Sequence, residues 1–139
     1  LEETIKGMVA AGRRPKLILT ISVFQNPMGV TLSAQRRKHM LEVSHQYGIP
    51  ILENESYADF RIDGPPLPQS LAGMDDEDSV LYVSAYTKLL GCGLRVGYGY
   101  VGAHAPFEPG VVALLWRYNV VTFGLLIGAL AVLPRVLGG

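Results

Sequence analysis

"LILTISVFQNPMGVTLSAQRRKHMLEVSHQYGIPILE", residues 17–53, changes periodicity twice, and that change decides the fold. Residues 17–24 are branched and aromatic and are apolar on both faces, as expected of a strand covered on both sides. Asn26, Pro27 and Gly29 mark 25–31 as a turn. Ser33 is placed to cap a helix over 34–47, along which Met40, Leu41, Ser44 and Tyr47 recur at helical spacing. Gly48 ends that helix, and 49–53 is the next strand. A strand, a helix of this length and a second strand form a βαβ unit, so the two strands pair in parallel.

Working outward, residues 3–12 read as a helix that runs into the basic hinge "GRRPK". Beyond Glu53 come a proline- and glycine-rich loop over 54–70, a short helical turn, and strands over 79–84 and 95–102. Mostly helical sequence follows to the end. The expected architecture is α/β, in three layers (α/β/α) with a mainly parallel sheet. A leading helix (1–14) and a helical tail (103–139) flank a core of residues 15–102. Ligands of such sheets sit beyond the carboxyl ends of the strands. That rule singles out three loops, 25–30, 54–60 and 84–95.

The chain has 139 residues, 49% of them hydrophobic, which gives room for a real core. Its 12 basic and 12 acidic residues balance, so nothing electrostatic calls for nucleic acid or an anionic membrane. Cys92 is the single cysteine and cannot form an internal disulfide, which fits a reducing, cytoplasmic setting. Residues 118–134 carry no charge, but they are short for a bilayer span of about 20 residues and glycines interrupt them; they read as a buried helix. The N-terminus lacks the apolar core of a secretory signal. It begins in what reads as the middle of a helix, as a piece of something longer would.

The three loops hold the unusual chemistry. Lys88 follows a strand directly; burial disfavours an ammonium, and a neutral amine attacks a carbonyl to form a Schiff base. Its plainer reading is a loop lysine at the surface. Arg95, seven residues on, is a permanently charged fork suited to gripping a phosphate, and Gly91 and Gly93 let the backbone between them wrap closely. Thr87, and less well Ser84, offers a hydroxyl to the same phosphate. A Schiff-base lysine beside a phosphate clamp is what pyridoxal phosphate requires. Asn26 is then placed to meet the cofactor's phenolic oxygen, and Tyr57 to do the same or to orient the Schiff base, although singly they read as a turn asparagine and a packed surface tyrosine. His39, His45 and His104 show no ligand spacing, so no metal site is expected.

"FQNPMGVTLSAQRR" (24–37), "YGIPILENESYADFR" (47–61) and "YVSAYTKLLGCGLRVGYGYV" (82–101) resemble the fold-type I, class I/II pyridoxal-phosphate aminotransferases. The pattern is nearest to the branch with aminoadipate, kynurenine and valine–pyruvate enzymes. The resemblance implies transfer of an amino group between an amino acid and a 2-oxo acid. It gives Lys88 the covalent and proton-shuttling role, Arg95 the phosphate, and Asn26 and Tyr57 the phenolic oxygen. It also implies a homodimer with active sites at the subunit interface, in proteins roughly three times this length. A piece this size, without a small domain, is expected to be inactive alone. The alternatives are the effector domain of a transcription regulator and a non-catalytic relative; Asn26 favours the enzyme.

Two positions depart from the family pattern. Asn54 stands where the family has an aspartate paired with the cofactor's ring nitrogen, and a neutral amide cannot supply that charge. Glu53 and Glu55 flank it but alternate to the opposite face of the strand. Ala85 replaces a hydroxyl residue that binds phosphate in relatives. Side-chain specificity is not legible, because the pocket is built by segments outside this chain.

Overall fold

The computed structural model describes residues 1–91, 93 and 97–102. Its frame is a four-stranded sheet in the order β1 (Ile18–Thr20), β2 (Ile51–Asn54), β3 (Val80–Ala85) and β4 (Gly97–Val101). β1, β2 and β3 are parallel, and β4 joins β3 antiparallel. The helices are α1 (Glu2–Ala10), α2 (Ala34–Tyr47) and the single turn α3 (Leu71–Met74).

Two strands differ from their sequence limits, and hydrogen-bond supply explains both. β1 was expected over 17–24 but stops at Thr20. The Ser22 carbonyl accepts from Leu32 N and from Arg37 Nη2 rather than from a neighbouring strand. β2 was expected from residue 49 but begins at Ile51. Ile49 N is used by the helix end, donating to Ser44 O at 3.0 Å, and Pro50 has no N–H to give. The expected helix over 3–12 covers Glu2–Ala10, and the strand expected over 95–102 is described from Gly97. The tail, including 118–134, lies outside the described residues.

The βαβ unit forms as its sequence requires. Ser33 Oγ accepts from Arg36 N and so satisfies one of the free N–H groups at the start of α2. At the other end Gly48 is left-handed, with φ 58° and ψ 41°. Its N–H goes to His45 O and that of Ile49 to Ser44 O, the paired bonds of a Schellman ending. A Cβ on Gly48 would lie 3.1 Å from Arg14 Nη2, which itself donates to Tyr47 O. Gly48→Ala is therefore expected to destabilise the fold by about 1–2 kcal/mol, read as a lower urea midpoint for the full-length protein. An unchanged midpoint would show that this cap contributes nothing.

Ile18, Ile51 and Val80 stand side by side across the sheet, and on them pack Ile5 of α1, Leu41 and Val43 of α2, and Leu71 of α3. Ile51 is fully buried at the centre. Burial of such a side chain contributes about 1.5–3 kcal/mol. All three helices thus join one core; the third layer expected from the sequence is not among the described residues. The opposite face carries Leu52 and Leu81, both buried, and Leu19, which is exposed at the sheet edge. Because β1, β2 and β3 run in one direction, the segments that follow them emerge at a single edge. That edge holds the chemistry.

Candidate active site

After β1 the chain closes on itself. Gln25 N donates to Val30 O at 2.9 Å, Met28 N to Gln25 Oε1 and Phe24 N to Thr31 Oγ1. Gly29, with φ 68°, and Phe24, with φ 48°, are left-handed in this loop. The Asn26–Pro27 peptide is cis, and the Asn26 side chain projects from the loop. After β2, Asn54 folds back as an Asx turn: its Oδ1 accepts from Ser56 N at 3.0 Å and from Ser56 Oγ at 2.7 Å. Tyr57 follows, ahead of the 3-10 turn Ala58–Phe60. After β3, Leu89 N and Leu90 N both donate to Tyr86 O, so Lys88 sits on a short helical turn.

These loops bring three of the expected residues together. Asn26 Nδ2 lies 3.5 Å from the Tyr57 hydroxyl, a long hydrogen bond. Lys88 Nζ lies 6.0 Å from the centroid of the Tyr57 ring, at the outer range of a cation–π contact. An amide, a phenol and a primary amine, each from a different loop, thus share one small region. Asn54 and Thr87 are half-buried, and Lys88 is exposed, in contrast to the partly desolvated lysine that the sequence suggested. Arg95 and Cys92 lie outside the described residues. Ser84 does not serve as a free hydroxyl: it is buried and donates to Glu55 O at 3.4 Å, tying β3 to the loop after β2.

A cluster behind the site was not foreseen. Arg37, Glu53 and Ser22 are completely buried, and Glu55 nearly so. Arg37 Nη1 lies 3.4 Å from Glu53 Oε1 and 3.1 Å from Glu55 Oε1. Glu53 also accepts from Leu71 N and Ala72 N at the start of α3. The two glutamates do face away from Asn54, as strand alternation requires. The signal for Arg37 was its spacing: 37, 41 and 44 fall on one helical face, and Leu41 and Ser44 are buried with it.

Charge and protons in the cluster must balance. Ser22 Oγ lies 2.7 Å from Glu53 Oε1 and 2.7 Å from Glu55 Oε1, yet a hydroxyl has one proton to donate. The second contact is a hydrogen bond only when that carboxyl carries a proton. Burial raises the Glu53 carboxyl above the usual value of 4.5, opposed by the bonds from Leu71, Ala72 and Ser22. The folded protein therefore holds this proton more tightly than the unfolded chain. Its contribution to stability is full below about pH 4.5 and is lost as the pH rises through the raised value.

With this geometry in hand, the chain can be compared with known proteins. The family model described as aminotransferase class I and II matches residues 1–125. The chain is 37% identical over 98 residues to aromatic-amino-acid aminotransferase 1 of Thermococcus litoralis, covering 70% of this chain and 23% of that protein. It is 38% identical over 101 residues to the uncharacterized HTH-type transcriptional regulator YisV of Bacillus subtilis, covering 70% of this chain and 21% of that protein. Among solved structures it is similar to the kynurenine aminotransferase of Pyrococcus horikoshii, crystallised in complex with PMP. That likeness has a TM-score of 0.68 and 30% identity over 88% of this chain and 29% of the other. The chain thus spans about a quarter of the length of these relatives. Among the described residues, no helix is long and apolar enough to cross a membrane.

Proposed function

The chain belongs to the class I and II aminotransferases, and from that premise we propose that its parent protein transfers an amino group between an amino acid and a 2-oxo acid with pyridoxal 5'-phosphate. The observation that carries this is the meeting of Asn26, Tyr57 and Lys88 at one sheet edge. The donor set suits the cofactor. Asn26 and Tyr57 bring an N–H and an O–H to one place, where both can donate to a phenolic oxygen. Lys88 supplies the primary amine that a carbonyl requires. Thr87 is the described hydroxyl nearest in sequence for a phosphate, and Arg95 is its proposed cationic partner.

When bound, pyridoxal phosphate supplies an electron sink for the bond broken at the substrate's α-carbon. The residues do the rest. Lys88 Nζ anchors the cofactor and then carries the proton that leaves the α-carbon. Asn26 Nδ2 and the Tyr57 hydroxyl would donate to the cofactor's phenolic oxygen beside that amine. Asn54 contributes a neutral amide whose Oδ1 is already engaged by Ser56. A homodimer completing each site with a partner's residues is the assembly proposed for the whole protein.

The similarity to a helix-turn-helix regulator favours a second reading, a cofactor-binding effector domain. One experiment separates the two. The full-length protein, loaded with pyridoxal phosphate, is incubated with aromatic and aliphatic amino acids and 2-oxoglutarate, and product amino acid is measured. Catalytic turnover is expected, with borohydride fixing the cofactor on the Lys88 peptide. Fixation on Lys88 without turnover would favour the effector domain, and fixation elsewhere would end the site assignment.

A further inference from the structure

We propose that Arg37 is a positioning residue that sets the loop after β1 and the loop after β2 in mutual register, so that Asn26 and Tyr57 meet. This rests on the aminotransferase reading for its functional consequence but not for its structural content.

The guanidinium reaches both loops at their roots. Nη2 donates to Ser22 O at 3.1 Å and Nε to Leu32 O at 3.1 Å. These two carbonyls bracket the segment carrying Asn26, and Leu32 N closes the same bracket by donating to Ser22 O at 2.9 Å. Nη1 turns to the other loop, 3.4 Å from Glu53 Oε1 and 3.1 Å from Glu55 Oε1. Those residues flank Asn54 and precede Tyr57 by four and two positions. The same Nη1 donates to Gln69 O, where the 54–70 segment runs into α3. Ser22 Oγ cross-links the two roots a second time through its contacts with Glu53 and Glu55.

A planar fork with five donors can span these directions at once, whereas an ammonium carries its three from a single atom. The site is fully buried, so water cannot substitute for a lost bond. β1 and β2 pair through only three residues each. The β1–β2 ladder therefore ends at Thr20 and Glu53; Glu55 N still bonds Val83 O of β3, but beyond that ladder the two roots are joined to each other, among the described side chains, by Arg37 and Ser22. The Asn26–Tyr57 contact, at 3.5 Å, is too long to hold the loops itself.

The test is hydrogen exchange by mass spectrometry on the full-length apoprotein, comparing the parent with Arg37→Lys. Amides of 23–31 and 54–60 are expected to exchange at least about tenfold faster, with those of 38–47 unchanged. No acceleration in the two loops, or equal acceleration throughout α2 as well, would overturn the proposal. Should Arg37→Lys not fold, Glu55→Gln weakens the links of Glu55 to Arg37 and Ser22 but leaves the bonds of Arg37 to Ser22 O and Leu32 O, and should accelerate 54–60 but not 23–31; no change in 54–60 overturns the proposal equally. With pyridoxal phosphate added, Arg37→Lys should raise its Kd about tenfold, and Asn26→Ala should then cost less affinity than it does in the parent. A parent protein that binds no cofactor would remove the functional reading and leave the exchange result to decide the role of Arg37.

Discussion

Replacing Lys88 with alanine in the full-length protein is expected to lower amino transfer by at least about a thousandfold. Proton transfer by a positioned side chain alone is typically worth about 10²–10⁴ in rate, and the same change removes the covalent anchor. The location of the residue makes this specific. Lys88 stands where the loop after β3 approaches Tyr57, its Nζ 6.0 Å from that ring. Lys38 is exposed on α2 and belongs to none of the three loops that form that edge, so Lys38→Ala should leave the rate unchanged. The measurements are steady-state transfer to a 2-oxo acid and retention of the cofactor through gel filtration after borohydride. A Lys88→Ala protein that turns over within tenfold of the parent, or still fixes cofactor, would show that another amine does this work.

Tyr57 and Lys88 were legible because parallel-sheet topology limits where chemistry can sit. Once 17–53 is read as βαβ, the loops that follow the strands must share an edge, and the residues with unusual donors in them must be neighbours. Asn26 became legible for the same reason, although alone it is an ordinary turn residue. What the sequence hid depends on partners that composition does not show. Arg36, Arg37 and Lys38 are alike in composition, and only tertiary pairing with Glu53 and Glu55 makes Arg37 the buried member. The strand limits failed for a related reason. Apolar character continues from Ile21 to Phe24, but the Ser22 carbonyl is taken by Arg37 and Leu32, so the ladder ends although the pattern does not. Likewise Ser84 looked like a free hydroxyl near the phosphate, while its buried Oγ bonds the backbone of the adjoining loop.

Asn54→Asp gives the second large effect, and in the opposite direction. The resemblance places at this position a carboxylate against the cofactor's ring nitrogen; in this chain it is an amide. An opposite charge within a few ångströms stabilises a protonated base by about 1–3 pKa units. If that full benefit reaches the rate-limiting step, turnover rises by about ten- to a thousandfold. The substitution is nearly isosteric and should fold without strain. The Asx turn needs only an acceptor oxygen for Ser56 N and Oγ, which aspartate retains. The neighbouring acids do not already supply the charge: Glu53 and Glu55 are turned to the other face of β2, bonded to Arg37 and Ser22. The gain should therefore appear in kcat rather than in KM, since the new charge acts on the electron demand of the cofactor and not on substrate contacts. An unchanged kcat, with the cofactor still bound and fixed at Lys88, would mean that the ring nitrogen works unprotonated here and that the amide is suited to a reaction needing a weaker electron sink.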